Sequence, residues 1–264
     1  MSTLMAILSP AKSMEMHGCP GGITPSRPRL QAQTRQLAGL LREHSARKLQ
    51  SLMSISPKLA EQNVLRWKNF NMRSNPRTPS AFFFRGDVYQ GFEAWTLGRK
   101  ALAWAQDHVR ILSGLFGLLR PLDSIQPYRL EMSTPLKTPS GKDLYAFWGN
   151  AITEVLRKDI RSQHADTIVN LASDEYSRVL DMDALNVAIV QVRFLQVDKA
   201  KTKFISFYAK QARGLMARWM AIHKPKRTSD LTAFDLGGYQ LDRNVSGHGE
   251  LIFTRPKPSP RGTR

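Results

Sequence analysis

Apolar runs bounded by serine, proline and glycine indicate the strands of this chain. Residues 4–8 are continuously apolar and are halted by Ser9-Pro10, a pattern typical of a buried strand. Other short segments are rich in β-branched and aromatic residues and are separated by brief polar breaks. The pattern predicts further strands at residues 167–171, 187–194, 203–208, 239–241 and 251–253.

Helical spacing of apolar positions fills much of the remaining chain. Leu37, Leu40 and Leu41 predict a helix from residue 30 to about residue 44, and similar periodicity covers residues 94–112 and 147–161. Strands and helices are therefore interspersed, with no repeat of fixed period and no long linker. We predict an α+β (mixed α/β) fold over residues 1–254, a single compact domain with a mixed central sheet and surrounding helices. The proline-rich, cationic residues 255–264 are expected to form a flexible basic tail.

Residues 45–68 contain two helical patterns with a very short connection. Leu49, Leu52 and Met53 share one helical face, and a second apolar face follows from Leu59 to Trp67. Only Ser54-Ile55-Ser56 lies between the two patterns. Ser56 followed by proline is a strong helix start, because the hydroxyl can cap an early amide and proline suits the first helical position. Such a start leaves amide donors and the positive end of the helix dipole available to an anion.

Composition narrows the class of protein. The chain has 264 residues, 42% of them hydrophobic, so it can bury a core without disulfide or metal support. Its single cysteine, Cys19, cannot form an internal disulfide, and its longest apolar stretch, residues 111–119, is too short to span a membrane. The first eight residues lack the basic flank of an export signal. We expect a cytoplasmic protein that does not bind membranes.

The charge balance points to a polyanionic partner. The formal net charge is +18. Two segments carry all of the excess: residues 27–77 hold eleven basic and two acidic residues, and residues 199–227 hold nine basic residues and no acid. Such basic segments can be solvated helix faces, but their coincidence in one chain favours a nucleic acid as the partner.

The short connection at residues 54–56 lies inside the first basic segment. Its pattern Leu-x-x-Ile-Ser-Pro-Lys-Leu-Ala resembles the helix-hairpin-helix element of DNA-repair proteins, in which Leu-x-Gly-Ile-Gly-Pro-Lys-x-Ala lets backbone amides hold a phosphate. Serine replaces both hairpin glycines here, which makes a positive φ less easy. A capped helix pair packed in the core would give the same pattern. The local basicity favours a DNA contact, for which the candidate residues are Ser54, Ile55, Ser56, Lys58, Arg66, Lys68 and Arg73.

Polar side chains also follow the predicted strands, where α/β proteins commonly assemble binding groups. Any one of these side chains could be an ordinary cap or surface ion pair, but together they predict an anion pocket. The candidates for the pocket are Ser9, Lys12, Arg129, Ser173, Lys210 and Arg213. If the pocket is catalytic, the candidates for proton transfer and charge stabilisation are Glu131, Glu175, Tyr176 and Lys210.

Seven motifs follow one another along the chain: LSPAK at residues 8–12, FRGDVY at 84–89, LSGLFGLLRPLD at 112–123, PYRLEM at 127–132, LYxFWG at 144–149, NLASxEY at 170–176 and FYAKxARGLM at 207–216. Together these motifs resemble one family, the bacterial YaaA peroxide-stress proteins. The resemblance implies a cytoplasmic protein of unusual mixed α/β fold with a helix-hairpin-helix and a positively charged cleft. It also implies binding of double-stranded DNA and protection from peroxide damage by lowering available intracellular iron.

Three hypotheses follow from the sequence. The first is a DNA-binding protein without enzymatic activity that contacts the phosphate backbone and acts in the peroxide stress response. The second is an enzyme that acts on a phosphate-bearing or nucleobase substrate in a pocket around Lys12, Arg129, Glu175 and Lys210. The third is an RNA-binding protein that stacks unpaired bases on Trp67 and Trp219. The six histidines lack ligand spacing and no nucleotide-binding glycine motif occurs, so we expect no metal, no cofactor and no stable protein partner.

Overall fold

A central sheet organises the molecule. The computed structural model describes residues 3–15, 22–72, 77–199, 201–247 and 249–258 of the chain. The strands are β1 (Thr3–Leu8), β2 (Ser13–Met14), β3 (Thr78–Pro79), β4 (Phe84–Arg85), β5 (Val109–Ser113), β6 (Gly117–Leu119), β7 (Ser124–Ile125), β8 (Ala165–Leu171), β9 (Ala188–Asp198), β10 (Lys201–Lys203), β11 (Gln240–Leu241) and β12 (Glu250–Pro256). The α-helices are α1 (Gln31–Arg42), α2 (Ala46–Met53), α3 (Pro57–Asn69), α4 (Ser80–Phe83), α5 (Asp87–Phe92), α6 (Arg99–His108), α7 (Leu144–Trp148), α8 (Ala151–Ser162), α9 (Asp174–Ser177) and α10 (Ser206–His223).

The sheet is mostly parallel, which confirms the predicted mixed α/β class. Its order is β11-β12-β9-β8-β1-β5-β6, with β10 paired to β9. The five strands from β12 to β5 are mutually parallel, and β6, β10 and β11 are antiparallel additions. The central strand β1 is fully buried from Leu4 to Leu8, as its continuous apolar run predicts. Leu8 is in register with Leu171 and Ile111, so the carboxyl ends of three parallel strands meet at one edge.

The predicted helix at residues 94–112 ends too late. A short 3-10 helix, Ala94–Thr96, and α6 are followed directly by strand β5. Residues 99–112 contain no glycine or proline, so nothing in the sequence marks the point where the helix ends and the strand begins. The β-branched residues of β5 are instead buried beside β1.

The predicted strand at residues 203–208 is wrong. Strand β10 ends at Lys203, and helix α10 begins at Ser206. Phe204 and Phe207 are 61% and 50% exposed, so these apolar residues are not the buried row of a strand. Lys210 and Arg213 consequently lie on a helix and do not follow a strand.

The predicted start of the basic tail falls within a strand. Strand β12 extends to Pro256 because Arg255 and Pro256 pair with Gln196 and Val197 of β9. The guanidinium of Arg255 also donates to the Gln196 side chain and to the Gly237 carbonyl. Residues 259–264 of the predicted tail lie outside the described residues.

Among the helices that the structure describes, none is long and apolar enough to cross a membrane. Within the same residues, no group of three or more histidine, cysteine, aspartate or glutamate side chains is arranged to hold a metal ion.

Candidate functional site

Helices α2 and α3 form a hairpin whose turn is exposed. Only Ser54, Ile55 and Ser56 join them, as the sequence predicts, and both serines are exposed. Ile55 is buried, and its amide donates to the carbonyl of Gln50. Its apolar side chain therefore anchors the turn in the core, while the serines on either side face solvent.

Ser54 has a left-handed backbone, with φ 49° and ψ 52°. It ends α2, and its amide donates to Gln50. Left-handed conformation is costly for a residue with a Cβ, so Ser54 forms this turn at an energetic cost.

Ser56 begins α3 in the way the sequence predicts. Its side chain accepts a hydrogen bond from the amide of Leu59, and Pro57 occupies the first helical position. The amides of Ser56 and Lys58 have no acceptor within the described residues. The exposed side chain of Lys58 stands beside these donors. An anion at this turn would meet two amides, the helix dipole and an ammonium group.

The basic side chains around the hairpin have different roles. Arg42 donates to the carbonyls of Trp67 and Phe70 and thereby satisfies the carboxyl end of α3. Lys68 is exposed, whereas Arg66 is half-buried and donates to Asn63. Arg73, the remaining DNA-binding candidate, lies outside the described residues.

A second candidate site is a cavity of about 290 Å³ at the carboxyl edge of the sheet. It brings together five sequence candidates that are distant along the chain: Ser9, Lys12, Ser173, Lys210 and Arg213. Glu175 and Tyr176 also line it, and Arg129 and Glu131 are connected to it through Lys12. The parallel pairing of β1 with β8 produces this convergence, because both strands end at the same edge.

Two serine hydroxyls form the floor of this pocket. The Ser9 Oγ accepts a hydrogen bond of 2.9 Å from the Ser173 amide and lies 3.2 Å from the Ser173 Oγ. The buried hydroxyl of Tyr89 donates to the Ser9 carbonyl at 3.0 Å. Burial, followed by the neighbouring Tyr128 and Tyr176, raises the pKa of Tyr89, so this donor keeps its proton. The loop after β1 is therefore fixed from two sides.

Lys12, Glu131 and Arg129 form a chain of ion pairs beside the pocket. The Lys12 Nζ lies 2.6 Å from one oxygen of Glu131, and an Arg129 nitrogen lies 2.9 Å from the other. Burial and then the positive charge of Arg129 lower the pKa of Arg66 on α3. Arg66 of α3 therefore lies close enough to Arg129 for the two positive charges to interact.

The close crossing of α5 and α10 places the cations on the opposite wall. A Cβ at Gly214 would lie 1.7 Å from the carbonyl oxygen of Val88, and one at Gly91 would lie 2.1 Å from that of Gln211. Glycine at both positions lets the two helix backbones touch. Lys210 and Arg213 of α10 consequently face the start of α5, where Gly86 and Asp87 also line the cavity.

The catalytic candidates are held by neighbouring groups. One oxygen of Glu175 accepts hydrogen bonds from the amide and hydroxyl of Ser133, and both oxygens of Glu131 are ion-paired. Burial, followed by Tyr128 and the nearby carboxylates, raises the pKa of Tyr176. The Tyr176 hydroxyl therefore remains protonated.

Two predicted stacking platforms are not accessible. Trp67 is 1% exposed and Trp219 is 5% exposed. Trp67 packs near Phe70 within the core under α3, and Trp219 stacks on His223 of its own helix. The hypothesis that these two rings stack on unpaired RNA bases is therefore wrong.

Sequence reasoning missed Arg85 and Asp87 as pocket residues. Both lie in the motif at residues 84–89, but Arg85 belongs to a two-residue strand outside the main sheet. The guanidinium of Arg85 packs over the Trp95 ring at 4.3 Å, and its Nη1 is buried without a partner among the described residues. The motif at residues 84–89 is the sequence feature from which Arg85 and Asp87 could have been predicted as pocket residues.

The fold and the two sites together define a class: an α/β protein with a polar, cation-lined pocket at the carboxyl edge of its parallel sheet and an exposed, basic helical hairpin. Comparison with known proteins identifies the family. The model of the family described as "Peroxide stress protein YaaA" matches residues 4–245. The chain therefore belongs to the YaaA family of peroxide stress proteins.

Relatives of nearly equal length extend this match. A UPF0246 protein of Phenylobacterium zucineum is 45% identical over 257 residues, which cover 97% of each chain. A UPF0246 protein of Variovorax paradoxus is 44% identical over 96% of this chain and 99% of its own length. A UPF0246 protein of Idiomarina loihiensis is 42% identical over 96% of this chain and 98% of its own length.

Proposed function

We propose that this YaaA family member is a cytoplasmic protein that binds double-stranded DNA through its phosphate backbone during peroxide stress. Binding protects the DNA from oxidative damage and acts together with a limitation of intracellular iron. The protein needs no cofactor and no stable protein partner for this contact.

The start of α3 is the observation that carries the proposal. Here the amides of Ser56 and Lys58 lack acceptors, the turn is exposed, and the Lys58 ammonium lies beside it. A backbone phosphate accepts hydrogen bonds from amides and is stabilised by the positive end of a helix. These groups recognise the same anion at every nucleotide step, so sequence preference is weak.

The rest of the contact comes from exposed cations of the two basic segments. Arg47, Lys48 and Lys68 lie on the helical hairpin, and Lys224 and Arg227 lie just after α10. By contrast, Arg42 and Arg218 bind backbone carbonyls within the protein and contribute to the fold. The exposed cations supply the long-range attraction to DNA, and the turn at Ser56 supplies the oriented hydrogen bonds.

The test compares matched variants by fluorescence anisotropy with a labelled duplex. Ser56→Ala removes a cap at the turn, whereas Ser45→Ala removes the equivalent cap of α2 away from the turn. Lys58→Ala removes a cation at the turn, whereas Lys158→Ala removes an exposed cation on α8 outside both basic segments. The proposal predicts that the Ser56 and Lys58 variants lose affinity and that the Ser45 and Lys158 variants bind like the parent. Equal affinity of all four variants would exclude the hairpin as the contact.

A survival assay connects binding to stress. Cells that carry Lys58→Ala should be more sensitive to peroxide than cells that carry Lys158→Ala, at equal protein level. The enzyme hypothesis predicts a different result: Glu175→Gln would bind DNA normally but fail to protect, because an amide cannot act as a general acid or base in the pocket.

A further inference from the structure

We propose that the cavity at the carboxyl edge of the sheet is a binding site for a nucleoside monophosphate. In this site the phosphate lies against Ser9, Ser173, Lys210 and Arg213, and the base lies toward Phe207. The site is separate from the DNA contact at the hairpin turn.

The phosphate end of the site is defined by hydroxyls and unneutralised cations. The Ser9 Oγ accepts the Ser173 amide, and the two hydroxyls share one hydrogen bond, so one of their two protons remains to be donated. Lys210 is exposed, and within the described residues neither it nor Arg213 forms a hydrogen bond or an ion pair. Burial lowers the pKa of Arg213, an effect that the charge of Asp174 partly offsets. A phosphate monoester would accept from the free hydroxyl proton and neutralise both cations.

Arg85 provides an independent indication of an absent anion. Its Nη1 is buried and has no hydrogen-bond partner among the described residues, and its Nε lies 3.7 Å from Glu15. A buried guanidinium nitrogen without an acceptor is costly, because it has lost water without gaining a hydrogen bond, although the guanidinium as a whole packs over the Trp95 ring. Arg85 lines the same cavity as Lys210 and Arg213, so a bound oxyanion would supply the missing acceptor.

The rim of the cavity favours a nucleoside over a simple phosphate. Phe207 lies outside the cavity lining, but it precedes the lining residue Lys210 by one helical turn on the same side of α10, and half of its surface is exposed. An exposed aromatic ring beside a phosphate site can stack on a planar base. The carboxylate of Asp87, which also lines the cavity, can accept hydrogen bonds from sugar hydroxyls.

The volume of the cavity suits a small ligand. At about 290 Å³ it lies at the lower end of the range of small-molecule pockets. A single nucleotide has the required size, and its charge is complementary to the four cations and two carboxylates of the lining.

Isothermal titration calorimetry with the full chain tests the proposal. The probes are the four common ribonucleoside 5′-monophosphates, ribose 5-phosphate and inorganic phosphate. At least one nucleotide should bind more tightly than ribose 5-phosphate. Lys210→Gln and Arg213→Gln should each weaken nucleotide binding about tenfold or more. Phe207→Ala should weaken nucleotide binding to the level of ribose 5-phosphate, and Lys158→Gln should match the parent.

Two results would overturn the proposal. One is that no nucleotide binds more tightly than inorganic phosphate. The other is that Lys210→Gln binds nucleotide like the parent. Lys210 is exposed, so this variant is expected to fold normally. Duplex binding is measured on the same proteins, so that a loss of nucleotide binding at the pocket can be distinguished from a loss of DNA binding at the hairpin.

Discussion

Ser54 ends α2 in a left-handed backbone conformation, with φ 49°. A serine here costs stability that a glycine would not, because its Cβ crowds the following carbonyl. The two serines of the turn therefore differ in role: Ser54 is strained by the turn, and Ser56 caps the next helix.

Ser54→Gly should raise the free energy of unfolding by about 1 kcal/mol, because glycine adopts the left-handed conformation without a steric penalty. Ser51→Gly is the matched control, since the same change in the exposed interior of α2 should lower that free energy by about 0.5 to 1 kcal/mol. Urea denaturation of both variants measures whether each change raises or lowers the free energy of unfolding. A loss of stability in Ser54→Gly would contradict the assignment of strain to this residue.

Asp159 gives the fold a defined acid sensitivity. Its carboxylate lies 2.5 Å from nitrogens of both Arg29 and Arg110. Burial opposes its ionisation, but the hydrogen bonds and charges of these two arginines outweigh burial and lower the pKa of Asp159. Ionisation in the folded state therefore stabilises the fold above the unfolded pKa of about 3.9, and this contribution is lost as the pH falls below that value.

Asp159→Asn should cost about 3 to 5 kcal/mol near neutral pH, because it leaves two arginines partly or fully buried without their counter-charge. The loss should become smaller as the pH falls below about 4, where the parent carboxyl also takes up its proton. Thermal melts across pH 3 to 7 measure this, with Asp107→Asn at an exposed position as the control. A cost that does not change with pH would show that the charge of Asp159 contributes nothing.

At the scale of elements, the contact between α5 and α10 positions the pocket cations. Gly91 and Gly214 allow the helix backbones to touch, and this contact sets how far Lys210 and Arg213 lie from the end of β1. The requirement at Gly214 is for space, since its backbone has no positive φ. Any side chain at this position must separate the helices.

Gly214→Ala should lower the free energy of unfolding by about 3 kcal/mol, because its Cβ would lie 1.7 Å from the Val88 carbonyl oxygen. Gly39→Ala in α1 should raise it by up to about 1 kcal/mol, since a Cβ there meets nothing within 4 Å and alanine favours a helix. Guanidinium denaturation of the two variants measures this difference. Equal effects at both positions would contradict the close crossing.

Some secondary-structure elements can be predicted from the sequence and others cannot. Strands β1 and β8 were predictable because their runs are apolar and bounded by polar residues, and Ser9 and Ser173 were predictable because they follow these strands. Strand β5 was not predictable, because it continues from α6 without a separating residue. The pattern predicts a strand at residues 203–208 because local hydrophobicity does not reveal that two phenylalanines in it are exposed.

At the scale of the whole molecule, both of the basic segments that carry the +18 net charge have residues at or near the pocket. Arg66 of the first basic segment neighbours Arg129, which is paired through Glu131 to Lys12 at the pocket. Lys210 and Arg213 of the second segment line the same pocket. This link between the two segments could not be predicted from the sequence, because it depends on tertiary contacts between residues far apart in the chain.

The salt dependence of duplex binding tests the central claim most directly. If about five phosphates are neutralised, the logarithm of affinity should fall with the logarithm of salt concentration at a slope of about −4 to −5. Lys58→Ala should reduce the magnitude of this slope by about 1, and Lys158→Ala should leave it unchanged. A flat salt dependence in the parent, or the same slope in Lys58→Ala as in the parent, would contradict phosphate binding at the hairpin turn.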